Sequence, residues 1–273
     1  LEIIGSQINP ENELRSLWLA AAWQAIHDAT DLSGSPLTPY IEIPNFFIGH
    51  KIFMSKLRTG RRIYYNIFSH FYDGFIKLHS RNYGAETRRF LTDSAQLENK
   101  PGAKVLDICC GTGSVILSFA ESFPDILAIG CDFSHGMLLK AFEKDLPHKL
   151  VLIEGDAAIL PFKDDSFDVV CCSHALYELK GLVRREALSE MGRVVKSNGR
   201  VLIMEHEVPR KPFIKMLFCF RILMLGTKDS REFLKEGISP FKKIFSDVTL
   251  SHTKSGKSKL FICRQAKEPR LES

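Results

Sequence analysis

From Lys104 onward, short apolar runs alternate with stretches of helical spacing. KVLDIC (Lys104–Cys109) is a buried strand, and after a tight glycine turn the apolar positions from Gly113 to Phe123 repeat as a helix. Leu127–Cys131 predicts a second strand, followed by a helix from His135 to about Asp145. Leu150–Glu154 is the third strand, and Phe167–Ser173, preceded by the turn KDDS, is the fourth. A helix over Leu182–Val195 ends at the turn Ser197–Gly199, and Arg200–Glu205 is the fifth strand. Val248–Thr253 and Lys259–Cys263, joined by KSGKS, read as a closing hairpin. Strands alternating in this way with helices require a mostly parallel sheet, an α/β fold covered on both faces.

The first third of the chain has a different texture. Pro10 to Asp31 has helical spacing through Leu14, Leu17, Trp18, Ala21, Ala22, Ala25 and Ile26, with Asn12 able to cap it. SGSPLTPY (Ser33–Tyr40) is a punctuated linker. The aromatic stretches that follow, and a helix in AETRRFLTDSAQL, complete a helical extension over residues 1–95 that precedes a sheet domain over 96–268. Beyond the fifth strand, Pro209 and Pro212 bracket a loop before an apolar helix over Ile214–Leu225.

Composition narrows this picture modestly. The 273 residues are 45% hydrophobic and 25% charged, enough for one substantial core with an appendage. The net charge of +5 is concentrated at Lys51, Lys56, Arg58, Arg61 and Arg62 and at Arg210, Lys211 and Lys215. These basic groups beside apolar helices leave peripheral membrane contact open, although no apolar run is long enough to span a bilayer. Seven cysteines lack CxxC spacing, so no metal site is expected and a reduced, cytoplasmic setting is. Of the adjacent pairs Cys109–Cys110 and Cys171–Cys172, strand alternation predicts one member in the core and the other nearer the cleft.

Candidate chemistry concentrates around the first two strands. Gly111 and Gly113 form a tight turn at the start of a helix, and Asp132 lies 21 positions after Gly111, where a carboxylate can accept both hydroxyls of a ribose. The third glycine of a dinucleotide fingerprint would fall at Ile116, which opposes a pyrophosphate and hence a dehydrogenase. Asp107 is awkward beside a diphosphate and well suited to a ligand carrying an amine.

DICCGTG, GCDFSHGML, EGDAAILPFKDDSFDVV and LSEMGRVVKSNGRVLIME resemble, in order, the motifs of class I S-adenosylmethionine-dependent methyltransferases. They are most similar to the branch that C-methylates ubiquinone and menaquinone precursors, over roughly Tyr64 to Pro209. The resemblance implies a Rossmann-like, seven-stranded, mostly parallel sheet with a C-terminal antiparallel hairpin. It implies S-adenosylmethionine as cofactor, held by Asp107, Gly111, Thr112, Gly113, Asp132, Phe133, Met137, Asp156, Ala157 and Ser173. Asp107 would face the ligand's amino group, Asp156 and Ala157 the adenine, and Ser173 the transferred methyl. Met137 at helical spacing also reads as core, and Asp156 also reads as a turn cap.

For a quinol-type acceptor, a ring carbon becomes nucleophilic once a neighbouring hydroxyl is deprotonated, so a base tuned toward neutral pH is needed. His174, Tyr177 and Glu178 follow the fourth strand, and Glu205, His206 and Glu207 the fifth. His206 is the first candidate for the base and His174 the second, with Tyr177 beside them; exposed loop histidines are the alternative. FSHFYD (Phe68–Asp73) resembles the family's substrate-side motif, which implies a lid to which Tyr65 and Tyr72 contribute; aromatic packing within a helical cap is the alternative for both. The expected partner is a small hydrophobic or aromatic acceptor, with another lipid or natural product, or a non-catalytic binding role, as alternatives. CCSHALYEL stands where a nucleic-acid methylase would carry an NPPY-like segment, so nucleic acid is not expected. Homodimerisation is open.

Overall fold

The computed structural model describes residues 40–41, 62–66, 69, 83–144, 147, 149–208, 212, 216 and 228–266. The helices expected over Pro10–Asp31 and Ile214–Leu225, the linker before Tyr40, the two basic clusters apart from Arg62, and Tyr72 lie outside them, save single residues.

Strands β1 (Tyr40–Ile41), β2 (Lys104–Ile108), β3 (Leu127–Asp132), β4 (Leu150–Glu154), β5 (Phe167–Ser173), β6 (Val195–His206), β7 (Phe245–His252) and β8 (Ser258–Ala266) form one sheet. Its order is β1-β4-β3-β2-β5-β6-β8-β7. Strands β1 to β6 pair in parallel, and β8 runs antiparallel to both β6 and β7. Seven of these strands are those the sequence predicts, at closely similar bounds. The eighth, β1, is a two-residue edge too short to show periodicity.

After the short edge strand β1, the chain re-enters the sheet at its centre as β2, runs outward through β3 and β4, and returns to the other side of β2 as β5. This reversal opens a crevice beyond the carboxyl ends of β2 and β5, the place where open α/β sheets bind ligands. The turn expected at Ser197–Gly199 is absorbed into β6, whose register against β5 shifts between Phe167 and Val169.

Helices α1 (Tyr83–Ala95), α2 (Ser114–Ser122) and α3 (His135–Phe142) cover one face of the sheet. Their core is built from Leu91, Ile116, Phe119 and Leu138 on Val105, Ala128, Leu152, Cys171 and Met204. Helices α4 (Gly181–Val194), α5 (Lys228–Lys235) and α6 (Ser239–Lys242) cover the other. There Met191, Phe233 and Phe241 pack on Leu106, Val170, Cys172, Ile203 and Phe261. The alternating sides of Val105 and Leu106, or of Cys171 and Cys172, show why both-face burial gives continuous apolar runs.

The cysteine expectation is corrected here. Cys171 and Cys172 are both fully buried, one in each core, because β5 is central and has no solvent face. Cys109 and Cys110 are both half-buried in the turn beyond β2. Among the described residues, no helix is long and apolar enough to cross a membrane, and no His, Cys, Asp and Glu cluster could hold a metal.

Candidate active site

Beyond β2 the backbone enters the left-handed region three times, at Cys109 (φ 54°), Gly111 (φ 55°) and Gly113 (φ 75°). The two glycines serve different ends. A Cβ on Gly113 would stand 3.1 Å from the Cβ of Ala141, so this glycine lets α2 begin close against α3. A Cβ on Gly111 would meet nothing within 4 Å, so this peptide faces open space at the crevice. Ile116 is fully buried rather than facing a ligand. The close approach that a third helix glycine would allow is supplied from the strand instead. At Gly130 of β3 a Cβ would lie 2.9 Å from Leu152 and 3.3 Å from Ile116.

Asp132 ends β3 and is 5% exposed. Its Oδ2 accepts the N–H of Gly111 at 2.8 Å, and its Oδ1 accepts the N–H of Ser134 at 2.8 Å. Each carboxylate oxygen has a second lone pair, so the glycine turn fixes the acid while leaving acceptor capacity for two ligand hydroxyls. Burial pushes its carboxyl up to about 6, against the pull of those amides. Asp107, 2% exposed on β2, accepts the thiol of Cys171 at 3.4 Å. Burial pushes Asp107 up to about 8, and the charge of Asp132 adds to the rise. Two buried acids that repel one another suit a ligand carrying hydroxyls and positive charge, and they oppose a diphosphate.

The other residues expected around the cofactor take varied places. Thr112 is buried, and its carbonyl accepts Lys144 Nζ at 2.6 Å. Met137 is buried within α3, whose cap is Ser134. Asp156 caps a turn beyond β4, with Oδ1 accepting the N–H of Ala158 at 2.9 Å, and Ala157 is buried beside it. Phe133 is half-buried, and its ring meets that of Tyr65 edge to face at 5.9 Å.

Tyr65 belongs to a helical stretch, residues 62–66, held across the crevice mouth. Arg62 pairs with Glu154 at the end of β4, and Asn66 Oδ1 accepts both Ser134 Oγ (2.8 Å) and the N–H of Gly136 (3.1 Å). Only glycine permits this approach, since a Cβ at residue 136 would lie 2.9 Å from the Cα of Asn66. On the far side, the Tyr65 hydroxyl donates to Glu178. Asn66 lay in no motif, and Glu154 opens the EGDAAILPF segment without a role of its own there. Their role exists only in the docked arrangement.

The carboxyl ends of β5 and β6 bring His174, His206 and Tyr177 together as the sequence suggests. The His174 and His206 ring centroids lie 4.4 Å apart with the planes tilted by 43°, and Tyr177 meets His206 at 5.5 Å. His174 sits at φ 53°, with Nδ1 3.0 Å from Ser173 Oγ and Nε2 3.0 Å from Ser258 Oγ. A non-glycine residue held in this conformation marks a position fixed by its surroundings. Tyr177 lies in the 3₁₀ turn Leu176–Glu178 and donates its hydroxyl to Glu178 at 2.9 Å. Arg184, buried at the start of α4, binds the carbonyls of Leu176 and Tyr177 at 2.9 and 3.3 Å. Glu205 Oε1 accepts the N–H of Tyr177 at 3.1 Å. Ser258 went unnoticed in the sequence because only the β6–β8 register places it opposite His206.

Comparison with known proteins agrees with this geometry. Residues 105–199 match the methyltransferase domain family. The chain is 35% identical over 136 residues to a demethylmenaquinone methyltransferase of Corynebacterium efficiens, covering 50% of this chain and 56% of that one. It is 38% identical over 123 residues to that of Lysinibacillus sphaericus, covering 44% and 52%. With that of Staphylococcus saprophyticus it shares 31% over 177 residues, covering 58% of this chain and 75% of the relative. The chain thus spans about half the length of the first two and three quarters of the third. A chain of the complex between the Haloferax volcanii Trm112 methyltransferase activator and a methyltransferase superposes with a TM-score of 0.57 at 17% identity, covering 74% of this chain and 98% of that one. An S-adenosyl-L-methionine-dependent methyltransferase from Methanococcus maripaludis gives 0.51 at 16%, covering 70% and 91%. These two likenesses concern the fold.

Proposed function

The chain belongs to the demethylmenaquinone methyltransferase family of class I S-adenosylmethionine-dependent methyltransferases, and on that premise we propose that it methylates a ring carbon of a small hydrophobic quinol. The observation that carries this reading is the division of the crevice. Asp132 and the glycine turn stand on one side, joined by the Gly111 N–H, and a histidine pair with Tyr177 stands at the ends of β5 and β6 on the other.

S-adenosylmethionine, when bound, supplies a methyl group activated by its sulfonium. Asp132 accepts the ribose hydroxyls, the open peptide at Gly111 meets the methionyl portion, and Asp107 faces its ammonium. His206 takes the proton from a ring hydroxyl of the acceptor, which raises the electron density of the neighbouring carbon; once that carbon carries the methyl group its own hydrogen leaves as a proton, and the His206 proton returns to the oxygen to restore the quinol. His174, both of whose ring nitrogens face serine hydroxyls, positions His206 through the tilted ring contact at 4.4 Å. The 62–66 helix excludes water, and orientation with desolvation supplies much of the rate.

Calorimetric titration with S-adenosylmethionine and S-adenosylhomocysteine, run beside Asp132→Ala, tests the donor side. Loss of two charge-assisted hydrogen bonds, each about 1.5–3 kcal/mol, predicts at least about a 100-fold weaker affinity at 1.4 kcal/mol per decade. Transfer of labelled methyl to reduced demethylated quinols in lipid, lost in His206→Ala, tests the acceptor side. Donor binding without transfer to any quinol would redirect the reading to another lipid or natural product. No donor binding by folded protein would overturn it.

A further inference from the structure

Glu178 stands at the junction between the two halves of the crevice. One oxygen accepts the hydroxyl of Tyr65, from the helical stretch that roofs the nucleoside side, and the other accepts the hydroxyl of Tyr177 at 2.9 Å, from the acceptor side. Both ends of this link are anchored. Tyr65 is placed by the Phe133 ring and by the ties of Arg62 to Glu154 and of Asn66 to Ser134 and Gly136. Tyr177 is placed by Glu205 on its N–H, by Arg184 on its carbonyl, and by the His206 ring at 5.5 Å. His206 in turn packs against the His174 ring at 4.4 Å.

We infer that Glu178 is a positioning residue that couples the seating of the 62–66 roof over the methyl donor to the alignment of Tyr177 and His206 toward the acceptor. This rests on the function proposed above. A carboxylate suits the task because it offers two acceptor oxygens and no donor, so two tyrosine hydroxyls from separate segments bind it without competing. Hydrogen bonds to an ionised acceptor are also about twice as strong as neutral ones. With the roof unseated, Glu178 loses one of its two tyrosines, and the side chain that orders Tyr177 is less constrained. Donor and acceptor pockets thereby share one hinge point rather than closing independently.

The test compares Glu178→Met, which keeps the volume, with Glu178→Gln, which keeps an acceptor oxygen, and with Tyr65→Phe. In unliganded protein, amide hydrogen exchange of residues 62–66 should accelerate at least about fivefold in Glu178→Met and Tyr65→Phe, with β2 and β3 unchanged. Glu178→Gln should recover part of the protection, whereas a packing role would be satisfied by Met. Each of Tyr65→Phe and Glu178→Met should weaken S-adenosylhomocysteine binding about tenfold, the worth of one such bond, and the double variant should weaken it no further. Additive losses, full protection in Glu178→Met, or unchanged exchange and affinity would overturn the coupling. If the wild type fails to bind S-adenosylhomocysteine while the exchange pattern appears as stated, the clamp stands and the donor assignment falls.

Discussion

Replacing Glu205 with glutamine should make the protein more stable at neutral pH and flatten its pH dependence. Glu205 is 1% exposed, and while Oε1 accepts the Tyr177 N–H, Oε2 has no hydrogen-bond partner among the described residues. Burial pushes its carboxyl from 4.5 to about 8, outweighing the Tyr177 amide and the nearby Lys259 and Arg184 charges. The unfolded chain releases this proton near pH 4.5, whereas the folded chain keeps it to about pH 8, so the folded state binds more protons across that window. Stability is therefore undiminished below the unfolded pKa and falls as pH rises toward the folded one. The slope is about 1.4 kcal/mol per pH unit, which amounts to about 3 kcal/mol by pH 7. Glutamine retains the acceptor for Tyr177 and cannot ionise. Its amide N–H₂ imposes a cost of about 1–3 kcal/mol that does not vary with pH. Urea unfolding of both proteins from pH 5 to 8.5 isolates the term, because Asp107, Asp132 and the other titrating groups cancel in the difference. The stability of the glutamine variant relative to wild type should rise by about 1.4 kcal/mol per unit to pH 7.5 and level off above pH 8. A difference that stays constant across the range would refute the buried, protonated Glu205.

The two glycines of the turn should separate by experiment. Gly111→Ala, at φ 55° with open space around its Cβ, should lose about 1–2 kcal/mol of stability and weaken S-adenosylhomocysteine binding more than about tenfold. Gly113→Ala, which adds a 3.1 Å contact to the same strain, should show the larger loss in urea unfolding; donor binding unchanged in Gly111→Ala would show that the open peptide does not face the ligand. Ile116→Ala should cost about 2–5 kcal/mol through its cavity and still bind no nicotinamide dinucleotide by fluorescence titration. A loss under about 1 kcal/mol would contradict the full burial of Ile116.

The sheet was legible because its signals are local. Buried parallel strands are short apolar runs, and glycine and acid at a fixed separation mark the turn that joins the first two. The acceptor cluster was legible only as a list of residues following two strands. That His174 is held by Ser173 and Ser258, or that Tyr177 is gripped by Glu205 and Arg184, depends on register and on contacts between residues up to 84 positions apart. Asn66 lies further beyond reach, since an amide in a mixed stretch acquires a role only where Gly136 lets a second helix approach, and Glu154, though inside a quoted motif, gains its partner only from the docked Arg62. The Cys171–Cys172 expectation failed for a simpler reason. Alternation predicts opposite faces correctly, but in a central strand both faces are core.

The same packing explains why the pocket favours a cationic nucleoside over a dinucleotide more firmly than the missing third glycine does. Gly130 restores the close helix–strand approach that Ile116 would otherwise prevent, so the lost glycine is not in itself a steric bar to helix packing. What remains is charge. Asp107 and Asp132 are buried, and each is pushed upward chiefly by burial, with their mutual repulsion adding to the rise at Asp107. A diphosphate would add negative charge to two acids already short of water, whereas an ammonium beside Asp107 and hydroxyls on Asp132 relieve both. Methyl transfer converts a sulfonium to a neutral thioether, so one source of attraction to these acids disappears as the reaction completes. In the proposed placement the ammonium and ribose hydroxyls that the acids hold are common to donor and product, so the loss is confined to the sulfonium charge, and the roof stays joined to Asp132 through Ser134 and Asn66.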